Sequence, residues 1–338
     1  MESTMKNQIC QIGILGAGRI GKLHAENIKH HLPQFNLVGI ADPAIDKEWA
    51  ASLQIPTVSQ RSEEIIEHPQ IDAVLVASPS HLHVAQIKAA SEAGKAIFCE
   101  KPVGLPEDDI HGALQEVDNH KTLLQLGFNR RFDTNFANIK ERIKRGEIGS
   151  PQLLRITSRD PQCPPKSYCA TSGGIFMDMT IHDFDMARFL MDSKVVEVYA
   201  SGAVLINPEF ESYNDVDTAI VQLRFANGAL GVIDNSRQAV YGYDQRVEVF
   251  GSKGMLLADN QLNHGVKGFS QTTTNQANPK YFFLERYQQA FLAELRAFHE
   301  AWLNHTQSPV SGWDALAALQ IAKAAKQSLE THLPVYLD

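Results

Sequence analysis

A compact apolar run, "ICQIGIL" (9–15), passes directly into "GAGRIG" (16–21) and then into sequence of helical period up to about His31. Strand, glycine turn and helix in this order restrict the chain more than any other feature, because G-x-G-x-x-G has structural meaning only in that context. Gly16 permits the tight turn, Gly18 lets a pyrophosphate approach the backbone, and Gly21 lets helix and strand pack closely. Together with Arg19 and Ile20 they present the amides of a helix start, whose dipole favours anions. Asp42 ends the next apolar run, "NLVGIAD" (36–42), 24 residues beyond Gly18. A carboxylate there accepts hydrogen bonds from both hydroxyls of an adenosine ribose and repels a 2′-phosphate, which favours NAD over NADP. The plainer alternative is a turn that binds nothing, with Asp42 opening a loop; Arg19 as the partner of a 2′-phosphate is the route to NADP.

The alternation continues through "DAVLVAS" (72–78), "AIFCE" (96–100) and "TLLQLGF" (122–128), with helix-period sequence between them. Continuous apolar strands separated by helices predict an α/β fold with a doubly wound parallel sheet covered on both faces. After residue 127 the pattern changes. A helix is expected over 133–145, a strand over 151–159, a loop over 163–174 and a helix over 175–191. Strands then follow at 195–206, 216–225, 229–236, 245–250 and 254–259. Asn227-Gly228 marks a hairpin. This second part reads as an α+β domain with a large, mostly antiparallel sheet. The Asn-, Gln- and Thr-rich stretch 261–280 reads as a mobile loop, and two helices, 283–304 and 311–329, finish the chain.

A chain of 338 residues is long for one core, so two domains are expected, 1–127 for the cofactor and 128–338 for the substrate. The longest apolar runs fall short of the ~18 residues that a membrane span needs. The polar N-terminus "MESTMKNQ" lacks a signal-peptide core, which predicts a cytoplasmic location. A net charge of −8, from 31 basic and 39 acidic residues, argues against a nucleic-acid partner. Cys10, Cys99, Cys163 and Cys169 show no C-x-x-C spacing and read as reduced thiols.

In a doubly wound sheet, ligands lie beyond the carboxyl ends of the strands. "FCEKPVGL" (98–105) places Glu100 and Lys101 at such an end, with Pro102 restricting Lys101 to an extended backbone. Lys101 is therefore expected to reach the nicotinamide half of the cofactor, the alternative being a solvated lysine paired with Glu100. Ser78 and His81, after another strand end, are candidates for the same cleft, while Ser80 is a candidate helix cap. In "GGIFMDMTIHDFDMARFL" (173–190), Asp178 and His182 are i and i+4 on one helical face, in line with Ile175, Met179 and Met186. A partly buried histidine beside a carboxylate suits a general base. A core histidine satisfied by Asp178, or a metal site using Asp178, His182 and Asp183 or Asp185, are the competing readings. Asp185 and Arg188 are expected to form a surface pair. "FNRRFD" (128–133) offers Arg130 and Arg131 to the cleft or to a surface salt bridge, and "YGYDQRVEVFG" (241–251) offers Tyr241 and Tyr243 as polyol contacts.

On "GILGAGRIGKLHAENI", "EKPVGL", "GFNRRFD" and "GGIFMDMTIHDFDMARFLM", nearly the whole chain resembles the Gfo/Idh/MocA family of NAD(P)-dependent oxidoreductases, most closely its inositol 2-dehydrogenases. The resemblance implies an N-terminal Rossmann domain, an open sheet in the C-terminal domain, a last helix packed back near the first domain, and a homotetramer. It also implies a catalytic Lys101–Asp178–His182 group that oxidises a cyclic polyol with NAD and no metal; of the two arginines in "FNRRFD", Arg131 is the expected substrate contact. Lys101 and His182 are then expected to converge on one carbon. The alternatives are a relative acting on another sugar and a non-catalytic NAD-binding regulator. Ser80 departs from the family loop, where Asn commonly follows the proline.

Overall fold

A computed structural model of the chain describes residues 8–104, 107–169 and 172–337. Most of the polar N-terminal stretch, Leu105 of the E-K-P segment, and Ala170 and Thr171 of the 163–174 loop lie outside the described residues. The chain divides into two compact units, one formed by the residues up to Asn129 with Phe291–Leu316, the other by Arg130–Ala290 with Ala317–Asp338.

The first unit is built on six parallel strands: β1 (Cys10–Leu15), β2 (Phe35–Ala41), β3 (Thr57–Ser59), β4 (Ala73–Val76), β5 (Ala96–Cys99) and β6 (Leu124–Leu126). Their order is β3-β2-β1-β4-β5-β6, so the crossover from one half to the other falls beside β1. Helices α1 (Arg19–His31), α2 (Lys47–Ser52), α3 (Ser62–Ile66), α4 (His83–Glu92) and α5 (Glu107–His120) connect them. β4 and β5 are buried at every position, as strands covered on both faces must be. β3 is absent from the sequence reading; three residues at a sheet edge are too few to show a period.

The second unit begins with α6 (Thr134–Lys144), capped by the Asp133 carboxylate, which accepts from the amides of Asn135 and Phe136. Then follow β7 (Pro151–Arg159), the short α7 (Lys166–Cys169), a π-helical turn at Phe176–Thr180 and α8 (Ile181–Met191). The strands β8 (Val195–Ala203), β9 (Thr218–Phe225), β10 (Leu230–Ser236), β11 (Asp244–Gly251) and β12 (Gly254–Ala258) come next. Beyond them, the stretch expected to be a bare loop carries a ribbon, β13 (Lys267–Phe269) paired with β14 (Thr274–Gln276). With β15 (Val335–Tyr336), the large sheet runs β12-β11-β7-β10-β9-β8-β15. It is antiparallel except for β7 against β10. β9 alternates buried and exposed along its length, which is the signature of a sheet with one face in the core. After α9 (Phe283–Arg286), the helices α10 (Gln288–Asn304) and α11 (Gly312–Thr331) close the chain. Leu292, Leu295 and Phe298 of α10 join the core of the first unit, against Ile12, Leu37 and Phe98. All four cysteines are free thiols.

Candidate active site

The glycine turn follows β1 and opens α1. The Gly16 amide donates to the Ala41 carbonyl at 2.7 Å, and Gly16 has φ +101°, a left-handed conformation that a side chain strains. A Cβ on Gly21 would stand 2.0 Å from the Gly16 carbonyl oxygen, so this glycine is fixed by contact between turn and helix. Gly18, at the helix start, has nothing within 4 Å of where a Cβ would be. That open backbone beside helix-start amides that carry no side-chain cap fits a dinucleotide's phosphates. Asp42 anchors the turn: its Oδ2 accepts from the Ala17 amide and its Oδ1 from the Ala44 amide, both at 2.7 Å. Arg19 is exposed and Ile20 half-buried.

Two further strand ends face the same side of the sheet. After β4, the Ser78 hydroxyl donates to Gln86 at 2.6 Å, and His81 is exposed in a turn at Ser80–Leu82. Ser80 does not cap α4, whose first residue follows Leu82 with no side-chain bond. After β5 come Glu100 and the half-buried Lys101, joined to Pro102 by a cis peptide. The Glu100 carboxylate turns inward, 2.7 Å from His24 Nε2 of α1 and against Gly127. His83 ties the two strand ends together. Its ring nitrogens lie 2.8 Å from the carbonyl oxygens of Pro102 and Ser78. Burial pushes its pKa down, against the two carbonyls, which push it up.

In the second unit the helix expected over 175–191 is not uniform. Asp178 sits in the π turn and His182 in the first turn of α8, where it is half-buried. A π turn bonds i to i+5, so the faces before and after Thr180 are offset from plain α spacing. Asp178 Oδ1 accepts from the Tyr168 hydroxyl at 2.6 Å and Oδ2 from Arg237 Nη1 at 3.1 Å. The same Arg237 nitrogen lies 3.4 Å from Asp160. Burial, and then the charge of Asp178, raise the Asp160 carboxyl to about 6 although Arg237 pulls it down. Neither Tyr168 nor Arg237 was singled out in the sequence. Their pairing with Asp178 spans 10 and 59 residues, and no local period reveals it.

One expectation is corrected. Asp185 is not a surface partner of Arg188: it is 1 % exposed and takes Arg131 through Nε and Nη2 at 2.8 and 2.6 Å. Arg130 is buried too, donating to Asp183 Oδ1 at 2.5 Å, and Asn235 donates to the other oxygen of Asp183. The apolar packing around α8 takes both aspartates inward because each meets a guanidinium there. Tyr241 is 40 % exposed, with its hydroxyl donated to Asp244 at 2.5 Å. Tyr243 is buried, edge-on to Tyr287 at 6.0 Å.

Comparison with known proteins agrees with this layout. Residues 10–128 match the oxidoreductase family with an NAD-binding Rossmann fold, and residues 136–257 match the GFO/IDH/MocA C-terminal domain. An uncharacterised oxidoreductase of Bacillus subtilis is 50% identical over 96% of both chains. The myo-inositol 2-dehydrogenase of Thermotoga maritima is 47% identical over 97% of this chain and 98% of its own. A scyllo-inositol dehydrogenase from Lactobacillus casei, solved with bound NAD(H) and scyllo-inositol, superposes with a TM-score of 0.91 at 31% identity, covering 97% of this chain and 99% of its own. Strand order, glycine turn, E-K-P strand end and full-length similarity lead to one assignment: the chain belongs to the GFO/IDH/MocA family of NAD-binding oxidoreductases.

Proposed function

We propose that the protein oxidises a secondary alcohol of a cyclic polyol to a ketone with NAD, the substrate being myo-inositol and the product scyllo-inosose. The observation that carries this reading is near full-length similarity, at 47% identity, to a protein named myo-inositol 2-dehydrogenase. It is joined to a Lys101, Asp178 and His182 set that this chain retains. The first unit serves as the cofactor domain and the second as the substrate domain. Gly16, Gly18, Gly21 and the amides of α1 take the pyrophosphate, and Asp42 takes the adenosine ribose. Bound NAD supplies a hydride acceptor. His182 accepts the hydroxyl proton as the C–H bond breaks, and Lys101 donates a hydrogen bond to the oxygen as negative charge grows there. Asp178, held between Tyr168 and Arg237, orients His182 and favours its protonated form.

Steady-state oxidation of a panel of inositols and sugars with NAD and NADP tests this, read by the absorbance of reduced cofactor. The expected result is turnover of myo-inositol with NAD, and a loss of kcat of about 10²–10⁴-fold in His182→Ala and in Lys101→Ala. Retention of most of kcat in either variant overturns the assigned role. Preferential turnover of scyllo-inositol or of another sugar replaces the substrate.

The protein is further proposed to be cytoplasmic and homotetrameric. Among the described residues no helix is long and apolar enough to cross a membrane. The face of the large sheet that carries Leu153, Leu230, Phe250, Met255 and Leu257 leaves each of these 42–55 % exposed, with Ile220 beyond them at 52 %. Cross-strand register puts Leu153 opposite both Leu230 and Phe250, and Phe250 opposite Met255, so the patch is continuous. Such a patch suits association with copies of itself.

A further inference from the structure

Three acid–base side chains distant in sequence meet inside the first unit: His24 on α1, Glu100 after β5 and Glu294 on α10. Their nearest polar atoms all lie within 4.8 Å of one another. His24 and Glu294 are fully buried. His24 Nε2 is 2.7 Å from Glu100 Oε1, whereas both oxygens of Glu294, and His24 Nδ1, have no hydrogen-bond partner among the described residues. The surroundings offer little to an anion. Phe98 and Phe291 stand edge-on to the His24 ring at 5.5 and 5.8 Å, and Phe298 lies against Phe98. Gln125 of β6 donates to the Glu294 main-chain carbonyl, not to its carboxylate. Among the described residues, Cys99 is a buried thiol next to Glu100, and His299, further along α10, is engaged with the Gln8 carbonyl.

Two carboxylates this close, one of them dry, cannot both ionise without a compensating cation, either a metal ion or a proton. The 2.7 Å contact is a hydrogen-bond length, whereas two ligands of one tetrahedral metal ion stand further apart, about 3.3 Å for bonds near 2.0 Å. We infer that His24, Glu100 and Glu294 form a proton-binding site beneath the Lys101 turn, in which Glu294 is held as the neutral acid and acts through Glu100 as a positioning residue for Lys101. Burial first, and the Glu100 charge second, push the Glu294 carboxyl well above the ordinary carboxylate range. A neutral Glu294 has an O–H to donate toward Glu100. With no like charge beside it, Glu100 keeps its contact with His24, and Gly127 leaves room for its carboxylate, since a Cβ there would stand 3.0 Å from Oε2. Lys101, the next residue, inherits that fixed strand end. Its catalytic role rests on the function proposed above; the proton site does not.

The test compares thermal unfolding of wild type and Glu294→Gln from pH 4.5 to 8.5. An acid kept neutral by the fold binds a proton that the unfolded chain releases above about pH 4.5, so wild-type stability falls as pH rises. The amide does not titrate. The Tm of Glu294→Gln should therefore match wild type at pH 4.5 and rise above it by about 2–5 °C per pH unit until Glu294 ionises. In the wild-type protein at neutral pH, the infrared C=O stretch of a protonated carboxylic acid should be present, and Glu294→Asp should shift it. This reading survives even if the glutamine variant fails to fold. For positioning, Glu294→Ala should lower kcat/KM with the polyol about tenfold, and Glu294→Gln should recover most of it. A Tm difference that does not change with pH, or the absence of the protonated-acid band, overturns the proton site. A wild-type Tm raised by Zn²⁺ or Mn²⁺ when that of Glu294→Gln is not makes it a cation site instead. Unfolding and infrared need no turnover, so they stand apart from the polyol reading.

Discussion

Asp178 takes hydrogen bonds from donors of different kind, a neutral hydroxyl and a buried guanidinium. The guanidinium matters more, because Arg237 is also the cation nearest Asp160. Arg237→Met would leave two carboxylates in a buried site without their counter-ion. The expected effect is a fall in kcat/KM of about 100-fold or more, with the KM for NAD little changed and a smaller loss in Arg237→Lys. Equal loss in both variants would show that charge is not what Arg237 supplies. At this scale the sequence gives position where position is local: Lys101 stands just past the end of β5 and His182 in α8, as expected. Tyr168, Arg237, His24 and Glu294 were not legible in it, because their meaning lies in partners brought together only by the fold. Glu294 in "FLAELRAFHE" reads as an ordinary helix acid.

The β1–turn–α1 element is the clearest case in which sequence and structure coincide. Gly16 and Gly21 are required by backbone conformation and contact, whereas Gly18 stands open. Gly21→Ala would set a methyl carbon 2.0 Å from the Gly16 carbonyl oxygen. The turn and helix must then part, with an expected loss of about 1–3 kcal/mol in stability and a raised KM for NAD. Gly18→Ala meets no protein atom within 4 Å, so it should unfold at the wild-type temperature while still raising that KM. Equal destabilisation by both changes, measured by thermal unfolding, would contradict the geometry. The π turn before α8 is the opposite case. Ile175, Met179, His182 and Met186 have a fair α period, and nothing in that period announces an extra residue in the turn at Phe176–Thr180. The insertion becomes apparent only from the backbone, together with the Asp178 bonds to Tyr168 and Arg237.

At the scale of the whole molecule, the exposed apolar face of the large sheet is the surface on which assembly should depend. Placing a like charge on neighbouring strands, as in Leu153→Glu with Phe250→Glu, should shift the protein to smaller species in sedimentation equilibrium. Unfolding of the first unit should be little affected. A tetramer that persists in the double variant would move the interface elsewhere.

The sequence by itself determined the order of β1, β2, β4, β5 and β6 with helices between them, the glycine turn, the acid at the end of β2 and the alternation of the second sheet. Each of these depends on residues within a few positions of one another, where steric and hydrophobic period act directly. The tertiary structure alone decided the inward course of Asp183 and Asp185, the clamp on Asp178, the short strands β3 and β15, and the meeting of His24, Glu100 and Glu294. Those depend on which distant segments share a low-dielectric interior, where a charge must find a partner or give up its ionisation, and no local pattern records that choice.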